Sequence, residues 1–210
     1  MLRDAAVAII KGRLGRPNDT TIDTLIINEM QLAQTQAERD KILPWFLITE
    51  ISDASTTVNE QRLLVPTNFL REFGEGALWR FNASSDPTWV DLSKEEFDVL
   101  RQRYGTEVGD PVRYALVGKY FRLFPTPDQV YTMKMLYYAQ DVVLSTNIEN
   151  EWLKEAPGLL ISRTGGVIAT YLNHPSLIAF KADLLTAQNE LVVQETARDE
   201  ANRSRAMGDD

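Results

Sequence analysis

The hydrophobic pattern of this 210-residue chain changes twice, and these changes limit the folds open to it. Apolar residues recur every three or four positions over residues 2–43 and again over 148–207, the spacing of a buried helix face. Between them lie short β-branched and aromatic runs, bounded by Gly, Pro, Asn, Asp and Ser, which are typical of strands and turns. The pattern predicts an α+β protein: a helical bundle body (1–43 and 148–210) carrying a β-rich insertion (44–147).

Two helices are predicted in the N-terminal part of the body. The first spans residues 2–14 and ends at Gly15, since glycine readily adopts the left-handed conformation that closes a helix. The second begins at Thr20, with Asp23 three residues later in the place of a capping-box Glu. Pro44 ends it.

The last segment of the chain predicts one long C-terminal helix. Residues 149–172 are also helical in pattern, and an Asn-His-Pro turn at 173–175 separates them from a helix over 176–207. Its apolar stripe consists of Leu177, Phe180, Leu184, Ala187 and Leu191. A helix of about 30 residues is about 45 Å long. Because the stripe stops at Val193, we expect the end of the helix to project beyond its core or to fray.

The insertion is predicted to contain several short strands and two short helices. Residues 45–48 form a β-type run, and Gly118-Lys119 predicts a hairpin turn between two strands. Residues 66–71 indicate a turn followed by a short helical piece. Ser93 with Glu96 forms a capping box that predicts a helix over 94–104.

Residues 130–139 predict a strand with large side chains on both faces. Tyr131, Met133 and Tyr137 share one face, and Leu136 and Tyr138 share the other. We expect such a strand to be buried on both sides, by its own domain or by a neighbouring copy.

Composition excludes several classes of function. The chain has no Cys, which removes disulfides and thiolate sites, and its one His, His174, removes any His-pair metal site. A turn or cap role is expected for His174. No apolar run approaches the roughly 20 residues of a membrane span, and no signal peptide is recognised, so a soluble intracellular protein is expected. The net charge of −8 argues against a broad basic face for nucleic acid.

No motif predicts catalysis, a cofactor or a metal. Acidic groups cluster near residues 91–98 and 149–155, where solvated helix faces are the usual explanation, and glycosidase-like acid/base chemistry is the alternative. Gly165-Gly166 lacks the context of a phosphate loop and predicts close helix packing or a bend.

Two sets of residues are candidates for contacts with other proteins. The C-terminal segment carries arginines that can pair with carboxylates of a partner. This set consists of Arg198, Arg203, Arg205 and Met207. The second set, from the insertion, consists of Trp79, Trp89, Tyr131, Met133 and Tyr137, which are expected to face a partner or another subunit.

Several strings, in their order along the chain, resemble the head-to-tail adaptor (connector) proteins of tailed bacteriophages, of the tail tubular protein A type. The strings are LGRPNDTTIDTLIINEMQLAQ at 14–34, LPWFL at 43–47, LLVPTNFLREF at 63–73, YALVGKYFRLFPTPD at 114–128, ENEWLKEAPGLLISRTGGVIATYL at 149–172 and ETARDEANRSRAMG at 195–208. Together they span nearly the whole chain. No motif among them fixes the type of tail.

The resemblance implies a non-enzymatic virion protein, assembled in the host cytoplasm, that forms a dodecameric ring between the portal and the tail. By this resemblance the helices build the ring, the insertion meets tail or nozzle proteins, and the C-terminal segment engages the portal. The genome would pass through the lumen without specific binding. Two alternatives stay open on the residues alone: a helical binding or regulatory module, and a carboxylate-based hydrolase.

Overall fold

The computed structural model describes the backbone of residues 1–74, 76–82 and 87–206, and the side chains of these ranges up to residue 198. The chain is a mixed α+β protein that divides into two compact units. We call residues 1–47 together with 141–210 the helical unit, and residues 48–140 the β unit.

The helical unit contains five α-helices and one 3₁₀-helix among its described residues. They are α1 (Arg3–Arg13), α2 (Asp23–Ala37), the 3₁₀-helix Trp45–Leu47, α4 (Glu151–Glu155), α5 (Pro157–Tyr171) and α6 (Leu177–Ala206). α5 contacts α1, α2, α4 and α6, and its apolar residues Leu160 and Ile168 are fully buried. The 30-residue length of α6 confirms the predicted long helix.

The helix termini follow local chemistry. Gly15 ends the first helix with a φ of +64°, as predicted. Pro157 stands in the first turn of α5, where its missing N–H costs no hydrogen bond. The Asn150 side chain caps α4 by accepting a hydrogen bond from the Leu153 N–H at 3.2 Å.

The predicted start of the second helix is wrong. α2 begins at Asp23, three residues after Thr20, and no side chain caps it. Asp19 instead binds the next turn, accepting hydrogen bonds from the Thr21 N–H at 2.9 Å and the Thr21 hydroxyl at 2.6 Å. These bonds give residues 19–21 a local alternative to the helix.

The β unit contains eleven strands and one α-helix among its described residues. The strands are β1 (Ile48–Ser55), β2 (Arg62–Leu64), β3 (Phe69–Glu72), β4 (Leu78–Asn82), β5 (Thr88–Asp91), β6 (Ser93–Lys94), β7 (Val108–Gly109), β8 (Arg113–Val117), β9 (Tyr120–Phe124), β10 (Thr126–Pro127) and β11 (Thr132–Ala139). The helix is α3 (Phe97–Tyr104).

These strands form two main sheets and a small parallel pair. The larger sheet has the order β1-β11-β4-β5, with β3 also paired to β11, and the second has the order β2-β9-β8-β6. β7 and β10 form the parallel pair. One apolar core takes residues from both main sheets, among them Leu78 and Met133 from the first and Tyr114 and Phe121 from the second. The hairpin at Gly118-Lys119 forms as predicted, with Gly118 at a φ of +62°.

Three predictions for local structure in this region are wrong. Residues 45–47 form a 3₁₀-helix, and the strand begins only at Ile48. The expected helical piece at 66–71 is replaced by β3, because residues 69–72 pair with β11. The expected capping box at Ser93 does not form. Ser93 and Lys94 pair with β8, so the helix begins at Phe97.

Candidate functional site

The outer part of α6 is fastened to the helical unit through Trp45. Glu195 Oε1 accepts a hydrogen bond from the Trp45 backbone N–H at 2.6 Å. The guanidinium carbon of Arg198 lies 4.0 Å from the centre of the Trp45 ring, within the range of a cation–π contact. Because Glu195 and Arg198 are three residues apart, they share one face of the helix.

The helix therefore stays packed beyond the end of its apolar stripe. The sequence predicts that α6 projects or frays after Val193, since the residues that follow offer almost nothing apolar to bury. In the structure, the polar contacts of Glu195 and Arg198 with Trp45 hold the helix against its own unit as far as Arg198. The spacing of Glu195 and Arg198 could have indicated a shared partner, but Trp45 is 150 residues away from Glu195 in the chain and no local pattern connects them.

A cavity of about 370 Å³ lies beside this contact in the helical unit. It is lined by Ala37, Asp40, Lys41, Ile42, Pro44, Trp152, Leu159, Arg163, Gln188, Leu191, Val192 and Glu195. Arg163 spans one wall, with its guanidinium 3.5 Å from the Asp40 carboxylate. The cavity has apolar lining residues and scattered charges of both signs. This lining does not indicate which class of ligand, if any, the cavity would bind.

The other residues of the predicted C-terminal set lie near or beyond the end of the described chain. The backbone of Arg203 and Arg205 belongs to the last two turns of α6. Their side chains, and Met207 as a whole, are outside the described residues.

Trp79 and Trp89 lie on the face of the larger sheet opposite the core. The Lys134 ammonium group is 5.0 Å from the Trp79 ring centre and 5.2 Å from that of Trp89. Phe81 lies against Trp89 with 5.2 Å between ring centres. All four side chains are half-buried. We call Trp79, Phe81, Trp89 and Lys134 the aromatic face.

Cross-strand register explains this grouping. Lys134 pairs with Trp79, and Phe81 pairs with Trp89, so the side chains of three neighbouring strands point to the same side. The sequence indicated the two tryptophans but missed Phe81 and Lys134. Phe81 and Lys134 join the tryptophans only because of the order of the strands, and spacing along the chain does not predict that order.

The other three residues of the predicted β set belong to the subunit's own core. Met133 and Tyr137 are at most 1% exposed, and Tyr131 is 5% exposed. The Tyr137 hydroxyl donates to Asn68 Oδ1 at 3.0 Å. Because these side chains are covered within the β unit, they offer no surface to a partner, whereas Trp79 and Trp89 are half-buried and keep part of their surface exposed.

Tyr131 is the centre of a polar group at the edge of this core. The carboxylates of Asp110 and Asp128 both lie within hydrogen-bond reach of its hydroxyl, whose single proton they share, and the Arg80 guanidinium carbon is 5.0 Å from its ring centre. Arg80 also forms an ion pair with Asp110 at 3.2 Å. Burial, followed by the hydrogen bonds to the two carboxylates, raises the pKa of Tyr131.

A buried polar network joins α2 to residues 141–150 in the helical unit. Gln34 Nε2 donates to Glu38 Oε1 at 2.9 Å, and Asn150 Nδ2 donates to Gln34 Oε1 at 3.2 Å. The Asp141 backbone N–H also donates to Glu38 Oε1, at 3.2 Å. Burial raises the pKa of Glu38 and that of Asp141. Both carboxylates are engaged by protein donors, which indicates a structural role.

The acidic clusters considered for hydrolysis contain several ion pairs. Glu95 binds Arg103 and Arg113, each at 2.9 Å, and Glu151 binds Lys154 at 3.2 Å. His174 accepts a hydrogen bond at Nδ1 from the Ser176 N–H at 3.2 Å, which confirms its role in the turn before α6. Within the described ranges, no group of three or more His, Asp or Glu residues is arranged to hold a metal ion.

Comparison with known proteins identifies the family of the chain. None of the helices in the described part of the protein is long and apolar enough to span a bilayer. No curated protein matches the sequence. The family model described as SU10 adaptor protein matches residues 2–208, nearly the whole chain. The chain thus belongs to the SU10 adaptor protein family, as its resemblance to phage head-to-tail adaptors predicts, and has the structural role in a phage that membership of this family implies.

Proposed function

We propose that this adaptor forms a dodecameric ring between the portal and the tail of a phage virion and lets the genome pass through its lumen. The family match over residues 2–208 carries this proposal. Helices of residues 1–43 and 148–210 build the ring, and the insertion of residues 44–147 reaches toward the tail. The protein makes and breaks no bond, and it works through its shape and contacts.

The end of α6 is the portal-docking element in this proposal. Arg198, Arg203, Arg205 and Met207 make up that element. The arginines suit carboxylates on a partner, since a guanidinium donates two parallel hydrogen bonds to one carboxylate. Arg198 contacts the Trp45 ring within its own subunit, so docking exchanges that ring for a portal group or adds the portal beside it.

The aromatic face is the tail-contacting element. Half-buried Trp and Phe side chains are the residue types enriched at protein interfaces, where they bury a large area at a small cost in side-chain entropy. Lys134 between the two tryptophans adds one positive charge for an acidic or polar group of the tail protein.

The acidic balance of the chain fits a conduit for DNA. A net charge of −8 on each subunit repels the phosphate backbone and disfavours adhesion of the genome as it passes. Copies in a ring would multiply this charge.

Truncation after Val193 tests the docking element. It removes Glu195 and Arg198 with the three other docking residues and leaves α1, α2, α4, α5 and the part of α6 that contains the buried Phe180. The truncated chain is expected to fold, by circular dichroism, and to lose binding to the phage's portal in a pull-down. The full chain carrying Glu190→Gln, an exposed position of α6 before the cut, is the matched control and should bind normally. Binding by the truncated chain would refute the docking role.

A further inference from the structure

α6 carries a second apolar stripe on the side opposite its packing face. Phe180, Leu184 and Leu191 face the helical unit, and Phe180 is fully buried. On the other side, Ile178, Leu185 and Val192 are 79%, 64% and 47% exposed. They are seven residues apart; Ala182 and Asn189 lie between them on the same side of the helix, and Thr196 follows Val192 by four residues. We call these six residues the outer stripe.

The outer stripe has the spacing and composition of a helix-packing seam. Its members alternate at +4 and +3, the repeat with which one helix packs along another, and none of them is charged. From Ile178 to Val192 it is about 21 Å long at 1.5 Å per residue. Three large exposed apolar side chains, Ile178, Leu185 and Val192, are aligned over this length and form a surface that a second helix can bury.

α1 offers an uncharged exposed face of a different shape. Ala5, Ala8 and Gly12 are exposed on one side of this helix, next to Leu2 and Ile9, which are 43% and 40% exposed. Nothing lies within 4 Å of the position that a side chain on Gly12 would take. The face is about 15 Å long from Leu2 to Gly12. Small residues let a second helix approach closely. The large side chains of the outer stripe can therefore pack against the backbone of α1 at this face.

We propose that the outer stripe of one subunit packs on the exposed α1 face of the next subunit, and that this contact closes the ring. The inference rests on the proposed ring function and names its subunit interface. A head-to-tail contact needs two different complementary surfaces on each copy, and the helical unit supplies one of large and one of small side chains. Exposed charges of opposite sign flank the two surfaces: Lys181 lies beside the outer stripe, and Asp4, which pairs with Arg3 at 3.0 Å and stays largely exposed, lies beside the α1 face.

Because the native chain has no Cys, single cysteines test this contact cleanly. One preparation carries Ala8→Cys and a second, with a larger tag, carries Leu185→Cys. The two are mixed, with and without the phage's portal protein, and treated with a short bis-maleimide. A product joining the two differently tagged chains is expected from the mixture, and no product from either variant alone. Only an intermolecular contact gives such a heterodimer.

A variant with Glu190→Cys in place of Leu185→Cys is the matched control, since it lies on the same helix away from the outer stripe and should give no heterodimer. Three results would overturn the inference. If multimers form on the portal without an Ala8–Leu185 product, the ring uses other surfaces while the proposed function stands. A homodimer of the Leu185→Cys chain alone would show a symmetric α6–α6 contact. If no multimer forms even with portal, the proposed function fails together with the interface.

Discussion

The ring of Phe180 occupies the space that a side chain on Gly165 would need. A Cβ atom added to Gly165 would lie 2.2 Å from Cε1 of Phe180, far inside van der Waals contact. Gly165 is buried in α5 and Phe180 is fully buried in α6, so this contact sets how closely these two helices approach each other. The predicted packing role of Gly165-Gly166 is thus confirmed for Gly165.

Gly165→Ala should therefore destabilise the helical unit. Overpacking in a tight core costs roughly 1–3 kcal/mol, and this loss exceeds the gain of about 1 kcal/mol in helix propensity. Chemical denaturation followed by far-UV circular dichroism measures the change in the free energy of unfolding. Gly166→Ala is the control, since the nearest atom to its Cβ is 3.8 Å away, and it should be neutral or stabilising. Equal losses from both variants would contradict the packing role.

Removing the Glu195 carboxylate should free the Trp45 amide. The Trp45 N–H loses its acceptor in Glu195→Ala, so its hydrogen exchange should accelerate about tenfold, equivalent to about 1.4 kcal/mol. Amide exchange followed by NMR gives this rate. Glu190→Ala should leave the rate unchanged. An unchanged rate in Glu195→Ala would mean that another group protects the amide.

Glu38 should make the protein gain stability on mild acidification. Burial raises the pKa of Glu38 above its ordinary 4.5, so the folded state takes up this proton before the unfolded state does. The contribution of Glu38 to the free energy of unfolding should then rise as pH falls from neutral through the folded pKa, and level off below about 4.5. It is measured as the difference between the native protein and Glu38→Gln. A difference that shrinks on acidification would contradict the burial of a charged group.

The contribution of Glu60 to the free energy of unfolding should change with pH in the opposite direction to that of Glu38. Hydrogen bonds from Arg62 lower the pKa of Glu60 to about 2, so its contribution is present above 4.5 and is lost as pH falls through about 2. The same denaturation series on Glu60→Gln measures it. Because this pair is exposed, the effect should be small and should weaken in high salt.

Trp89→Ala should weaken binding to the tail while leaving the fold intact. The substitution removes the ring that contacts Lys134 and Phe81 on the aromatic face. Loss of one interface aromatic typically weakens binding tenfold or more, and titration against the phage's tail proteins by calorimetry measures it. Val108→Ala, at an exposed position elsewhere in the β unit, should bind normally. Unchanged affinity of the tryptophan variant would remove the aromatic face from the tail contact.

Local sequence patterns predicted those elements whose stability is local. The 30-residue α6 and the hairpin at Gly118 follow from periodicity and turn chemistry within a few residues. The predictions for residues 66–71 and for Ser93 were wrong because strand pairing, with β11 and with β8 respectively, determines the conformation there. Such pairing joins residues far apart in the chain, and local propensity does not specify it.

The candidate surfaces divide in the same way. Residue type alone identifies Trp79 and Trp89 as candidates for an interface. That Lys134 lies beside them depends on the order of three strands, which the sequence pattern does not give. The sequence did not show that Met133 and Tyr137 are buried in the core. β11 carries large side chains on both faces, and the pattern does not reveal which face the second sheet covers.

Electron microscopy of the chain mixed with its own phage's portal protein tests the proposed function most directly. We expect closed dodecameric rings stacked coaxially on the portal, with a central channel and with the β unit on the side away from the portal. Single particles of this chain that remain separate from the portal, or that bind it one copy at a time without closing a ring, would contradict the proposal.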